Sequence, residues 1–354
     1  MKLPHLRLSL TILTGTALAL ALPRETRSQP ASEEPDRAAA PRKVAVELVG
    51  RTGDGSAPGP LGVTLAGDHA YLAAWRRGLR VIQVSNPKDP TEVGSCPIRG
   101  RAKDVAVTGG YAYVAAEEGG LRVLDVSDPR TPIEVGSYHT RGSADAVAVA
   151  GKTAYVADNY DKEDASHGCL RVVDVSDPKA PIEVGSLEKP GLFLGVCVAG
   201  RYAYAAFKND VLRVVDVSDP RGPAEVASCR GTGEGQGVVV VANHAYVPDR
   251  DGFVHVVDVS DPKAPKLVGS SPDEPGVALA VAVAGDHAYV GSKRGVLHVL
   301  DVSNPRAPAW VGSYKTPGRA NGVTAAGAYV YVNDGEGGLL ILRPTVIDRG
   351  AKSP

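Results

Sequence analysis

From about residue 44 onward, apolar runs of four to seven residues recur, separated by Gly, Asp-Pro or Lys-x-Pro. One unit spells "AVAVAG", "TAYVAD", "LRVVDVS" and "PIEVGS" in succession. Val, Ile and Tyr are abundant and no stretch holds a helical period, so the runs read as short strands. Tight turns such as Gly200-Arg201 join the first strand of a unit to the second. Asp-Pro pairs, as at Asp128-Pro129, Asp177-Pro178, Asp219-Pro220 and Asp261-Pro262, turn the third strand into the fourth. There Asp bonds its own backbone and Pro presets φ while barring further strand.

Tyr71, Tyr113, Tyr155, Tyr204, Tyr246, Tyr289 and Tyr331 mark one register, spaced 42, 42, 49, 42, 43 and 42 residues apart. Four antiparallel strands per unit of this length are the dimensions of a propeller blade. The pattern therefore predicts an all-β, seven-bladed β-propeller over residues 43–344, with an open solenoid as the alternative. Blades pack both faces against near-copies of themselves, which explains why "LRVVDVSDP" stands unchanged at 170–178 and 212–220.

Third-strand Arg80, Arg122, Arg171 and Arg213 each precede a fourth-strand Glu (Glu92, Glu134, Glu183, Glu225) by twelve residues. Such a spacing sets unlike charges opposite one another in a hairpin. In the next two units both partners change together, to His255 with Leu267 and His298 with Trp310. The seventh unit has Leu340 at the Arg position and ends without a fourth strand. "PRKVAVELVG" (41–50) resembles the missing strand and puts Leu48 at the Glu position, so this N-terminal strand is expected to close the ring with Leu48 opposite Leu340. Closure removes sheet edges that invite aggregation.

"LRVVDVSDP", with its variants "LRVLDVSDP", "VHVVDVSDP" and "LHVLDVSNP", resembles the LVIVD repeat of exported bacterial and archaeal proteins. The likeness spans about residues 44–344, departing at Gln83 and Arg343. It implies a β-propeller in an exported or surface protein and carries over no catalytic residue.

Ahead of the repeats, Lys2 and Arg7 precede an apolar run from Leu8 to Leu22 with Ala-x-Ala triplets. This reads as a signal peptide over 1–21, too short to span a bilayer. A flexible linker rich in Pro, Ala and charge is expected over 22–42, and a disordered tail over 345–354. Removal of residues 1–21 would take away Lys2 and Arg7 and no acid, moving the net charge from −1 to −3. That balance opposes a nucleic-acid partner. No second apolar run of that length occurs, so no transmembrane segment is expected after signal removal. Cys96 and Cys229 fall at equivalent places on distant blades, so the four Cys, with Cys169 and Cys197, are expected to be unpaired.

Features repeated in every blade serve packing and turns, and Asp125, Asp174, Asp216, Asp258 and Asp301 are assigned to local turn bonds on that ground. Residues that break the pattern are candidates for a site. They gather on the loops between second and third strands and on those leading into each first strand. Trp75, Arg76 and Arg77 of blade one form the favoured contact site, since Trp and Arg are enriched at binding hot spots. Phe193, Phe207, Asp249 and Arg250 join them, with "GTGEGQG" (231–237) alongside. The channel mouth is read as Leu61, Lys103, Asp145, Leu194, Gln236, Leu279 and Asn321, with Asp104 beside Lys103. Asp158, Asn159, Asp161, Glu163 and Asp164, on the loop inserted in blade three, form a weak oxygen-ligand set for Ca²⁺. Their spacing departs from an EF-hand, and a solvated acidic loop is the plainer reading.

No nucleophile elbow or phosphate-cradling loop appears. The expected role is therefore non-catalytic binding of a protein or glycan partner through one face, by an exported monomer in the periplasm, at the cell surface or beyond it, with no cofactor. Two alternatives stay open: an enzyme with a polar site at the channel mouth, and a purely structural cell-envelope protein.

Overall fold

In the computed structural model, residues 41–53, 62–160, 167–208, 210–231, 233–272, 276–335 and 338–347 are described. They form seven four-stranded antiparallel sheets, the blades of a β-propeller. The expected signal peptide, most of the linker, Leu61, Asp161, Glu163 and Asp164 lie outside the described residues. No helix among those described is long and apolar enough to cross a membrane.

Blade three shows the build: Ser143–Ala150, Thr153–Tyr160, His167–Asp174 and Ile182–Pro190 pair in chain order. Its second and third strands are buried almost end to end, whereas the outermost strand alternates toward solvent. A sheet covered on both faces needs continuous apolar runs in its middle strands, and the sequence supplies them. Each hydrophobic cluster spans two neighbouring blades. Tyr113, Leu121 and Val123 of blade two, for example, pack with Val147, Val156 and Val173 of blade three. Another cluster joins Leu72 and Ile82 of blade one to Tyr331, Leu339 and Ile341 of blade seven.

The N-terminal strand Val44–Arg51 pairs with Leu339–Val346 and supplies the outer strand of blade seven. Leu48 stands across from Leu342, not Leu340, which faces Arg51 instead. The reason is a β-bulge shared by other outer strands. In blade three Glu183 faces Val173 while Arg171 faces Ser186. The expected Arg–Glu pairs are thus diagonal, yet every one is made. Arg122–Glu134, Arg171–Glu183 and Arg213–Glu225 lie at 3.0, 3.1 and 2.9 Å, and Arg80 also bonds Glu92. Where both partners change, the His298 and Trp310 rings meet at 5.4 Å. The third strand of blade seven continues to Val346, and the Ile347 amide donates to the Lys43 carbonyl at 2.8 Å, so residues 345–347 belong to the sheet and not to the expected tail, whose remaining residues lie outside those described.

The repeated Asp residues do turn work: Asp125, Asp174, Asp216, Asp258 and Asp301 each accept the amide of the Ser two residues on. All four Cys are free, and Cys169, Cys197 and Cys229 are buried.

Candidate functional site

Because strands alternate direction, the second-to-third-strand loops and the loops between blades share one face of the disc. The Asp-Pro turns occupy the other. The first strands line a central cavity of about 380 Å³. Lys103, Asp104, Asp145, Leu194, Gln236, Leu279 and Asn321 all face it, as the register of the repeat requires. Polar charge is confined to the sector of blades two and three, whereas Leu194 and Leu279 make blades four and six apolar.

A chain of contacts leads from the loop face to this cavity. The backbones of Trp75 and Ala102 exchange two hydrogen bonds, of 3.1 and 2.9 Å, between blades one and two. Trp75 holds a left-handed φ of 51° there, an unusual conformation for a bulky residue. Its half-buried ring lies under the Arg101 guanidinium, 4.9 Å from the ring centre. Arg101 pairs with buried Glu117, and Glu117 reaches Lys103 at 3.3 Å. Lys103 in turn bonds Asp145 at 2.7 Å, and Asp145 accepts from Asn159 at 2.8 Å. Asn159 clasps the Phe193 backbone at both its amide and its carbonyl, at 2.9 and 2.8 Å. Cation and anion alternate along the chain, so four blades are tied together without a buried unpaired charge. Burial works against the Lys103 ammonium, but Asp145 and Glu117 outweigh it and hold its pKa above the ordinary value.

Asp104 sits beside this chain. One oxygen accepts the Val105 amide at 2.9 Å and the other the Val147 amide of blade three at 3.0 Å. Burial raises its pKa to about 6 despite these bonds. Asp104 therefore clips two blades and keeps a carboxyl at the cavity wall that changes charge near neutral pH.

Several sequence candidates turn out to be interior. Phe193 and Phe207 are fully buried and pack edge to face at 5.0 Å, and the Arg213 guanidinium covers the Phe207 ring at 3.9 Å. Rarity of Phe in the chain reflects one large core contact, not a binding surface. Asp249 is also fully buried, accepting from the Asp251 and Phe253 amides and facing His255 Nε2 at 2.9 Å. Asp158 bonds Arg171 Nε at 3.0 Å and the Gly142 amide at 2.9 Å, while Asn159 is engaged as above. Neither is available to a metal, so these two residues leave the candidate Ca²⁺ set. Among the described residues no group of three His, Cys, Asp or Glu is placed to hold a metal ion. Arg76, Arg77 and Arg250 are exposed on the loop face, Arg250 pairing with Glu234 at 3.2 Å.

Sequence reasoning missed Arg101 and Glu117. A signal existed: Glu117 occupies in blade two the place Trp75 holds in blade one. It repeats the left-handed φ, at 43°, and the two-bond exchange with the next blade, through Ala144.

The family model of the LVIVD repeat matches residues 61–97, 99–140, 141–188, 191–230, 232–272, 275–316 and 317–342, one stretch for each blade. No curated protein matches the chain. Among solved structures it is similar to the β-propeller domain of Myceliophteria thermophila Cps50 (Swd1), at a TM-score of 0.64 and 12% identity over 84% of this chain and 99% of that one. The computationally designed Ika8 protein aligns at 0.60 and 11% identity over 80% and 83%. BamB from Moraxella catarrhalis aligns at 0.55 and 14% over 80% and 84%. These likenesses establish the fold alone. With its seven matched units accounting for nearly all of the blades, the chain belongs to the LVIVD repeat family.

Proposed function

We propose that the protein is an exported binding scaffold that engages a protein or glycan partner through its loop face and does not act by catalysis. The observation that carries this reading is the contrast between the faces. The turn face repeats the same Asp-Pro geometry blade after blade, whereas the loop face breaks the repeat and presents Trp75, Arg76 and Arg77. Rigid scaffolds with variable loops at one end are suited to recognition. The contact chain behind Trp75 fixes those loops to blades two, three and four, which lowers the ordering cost of binding. Export is supported by the basic start and short apolar run of residues 2–22.

A second reading, chemistry at the channel mouth, draws on Asp104, whose raised pKa suits proton transfer near neutral pH. It is the weaker one, because both Asp104 oxygens already accept backbone amides.

The test is photo-crosslinking in producing cells, with a benzophenone amino acid placed at Arg77 on the loop face or at Arg221 on the turn face. Adducts formed at 77 and absent at 221 support the reading. Equal adducts at both, or none at 77, overturn it.

A further inference from the structure

The inference rests on the loop-face reading and names the chemistry of the partner. Exposed Arg51, Arg76, Arg77, Arg99, Arg294 and Arg319 stand on consecutive loops of blades six, seven, one and two. Among the described residues none of them makes an ion pair. Arg51 ends the outer strand of blade seven, and Arg76 and Arg77 lie between Ala73 and Leu79 in blade one. Arg99 leads into blade two, Arg294 joins Ser292 to Val296 in blade six, and Arg319 leads into blade seven. Strand direction puts all six on the loop face, along one arc of the ring.

Among the described residues the acids of these loops do not pair with the arc. Glu117 and Glu118 both belong to Arg101, and Asp334 is fully buried. Asp54, Asp273, Glu274 and Glu336 lie outside the described residues. On the turn face four cations each have an acid close by in the chain, although they too make no ion pair among the described residues. Arg130, Lys179, Arg221 and Lys263 each follow by two residues an Asp that accepts their own amide. Arg201 there pairs with Asp216.

Two features narrow the partner. Arginine predominates on the arc, with exposed Lys293 and Lys315 beside the six, and its planar fork takes oxyanions two bonds at a time. Among the described residues the face also carries no large exposed aliphatic side chain, half-buried Trp75 being its apolar contact. Among the described residues the exposed large aliphatics are Leu48, Ile133, Ile182, Leu267, Val346 and Ile347. Every one lies on an outer strand or toward the turn face. Arginines repeated from loop to loop, with no exposed aliphatic cluster among the described residues, match a hydrophilic chain that repeats its negative charge.

We infer that the arginine arc binds an acidic polysaccharide, through carboxylate or sulfate groups seated on the arginine forks, with Trp75 beside them. The measurement is titration of the full chain with polygalacturonate, dextran sulfate and neutral dextran. Poly-glutamate and a DNA duplex serve as non-sugar polyanions. The variants are Arg76→Ala/Arg77→Ala/Arg99→Ala on the arc and Arg130→Ala/Arg221→Ala/Arg306→Ala on the turn face. The expected result is binding of one or both acidic polysaccharides and not of neutral dextran. The interaction weakens steeply between about 0.01 and 1 M salt, as the screening length falls from ~30 to ~3 Å. The arc variant loses roughly tenfold or more in affinity at an unchanged melting temperature, and the turn-face variant keeps wild-type affinity. Preference for polygalacturonate over dextran sulfate assigns the carboxylate, and the reverse assigns the sulfate.

Failure to bind either acidic polysaccharide overturns the inference, as does equal binding of poly-glutamate or DNA, or equal loss in both variants. Protein adducts at position 77 without polysaccharide binding would sink this inference alone and leave the loop-face reading standing.

Discussion

Gly50 of the N-terminal strand lies directly against the carbonyl of Pro87 in blade one, where a Cβ would stand 2.2 Å from that oxygen. The same meeting recurs around the ring. Gly94 faces Pro129, Gly136 faces Pro178, Gly185 faces Pro220 and Gly269 faces Pro305, each at 2.2 Å, always from one blade to the next. At the last joint Gly312 faces the Val44 carbonyl at 2.3 Å, since the chain there supplies a strand start in place of an Asn-Pro or Asp-Pro turn. The repeated Val-Gly-Ser and Asp-Pro segments are thus two halves of one inter-blade contact. Blade four is the exception, with Ala227 at the glycine position.

Gly136→Ala should destabilise the protein by about 1–3 kcal/mol, because the added methyl meets backbone that cannot turn away. Gly50→Ala should act alike, since the closing joint has the same geometry. Urea unfolding followed by circular dichroism checks both, and a wild-type midpoint for either variant would contradict the contact.

Ala242 holds a φ of 51° in the first hairpin of blade five, where blades one, three, four, six and seven use Gly67, Gly151, Gly200, Gly285 and Gly327. A left-handed non-glycine costs about 1–2 kcal/mol, part of which glycine returns as unfolded-state entropy. Ala242→Gly should therefore stabilise by about 0.5–1 kcal/mol, visible as a higher melting temperature. A lower one would count against the assigned turn.

Arg171→Met leaves Asp158 fully buried without its cation and should cost about 3–5 kcal/mol. Arg122→Met, whose partner Glu134 reaches solvent, should cost nearer ~1 kcal/mol. The double variant Arg171→Met/Asp158→Ala should recover part of the loss. Equal costs for the two single variants would refute a buried pairing at Asp158.

Asp104 binds its proton more tightly folded than unfolded, with a pKa of about 6 against 3.8. The folded state then holds more protons than the unfolded one between these values, so this group lowers stability as pH rises from about 4 to 6, and its effect is level above. Carboxyl carbon NMR should give a midpoint near pH 6, shadowed by the Val147 amide. A midpoint at or below 3.8 rules the assignment out.

Blade number, strand order and the cavity-facing positions were legible because each follows from a period of about 42 residues. Lys103, Asp145, Leu194, Gln236, Leu279 and Asn321 fall out of one alignment of the units. The Arg–Glu pairs were legible as covariation, but their diagonal geometry was not, since a bulge inserts a residue without altering the spacing along the chain. Phe193 and Phe207 were misread because a break in the repeat marks a special place in the core as readily as a surface. Asp158 and Asn159 looked like loop ligands only while the reach of Arg171 and the Phe193 backbone was unknown. The Trp75–Arg101–Glu117–Lys103 chain depends on side-chain reach across two blades, and no single unit displays it.

The map of faces, the cavity lining and the arginine arc all depend on the N-terminal strand completing blade seven. Ala45 and Thr345 are exposed cross-strand partners in that pairing. Antiparallel partners stand ~4.5–5.5 Å apart at Cα, within reach of a disulfide. Mapping the disulfides of oxidised Ala45→Cys/Thr345→Cys by mass spectrometry is the most direct test. An intramolecular bond in high yield, with an unchanged circular dichroism spectrum, is the expected result. A folded variant whose two thiols stay free would contradict the closed ring.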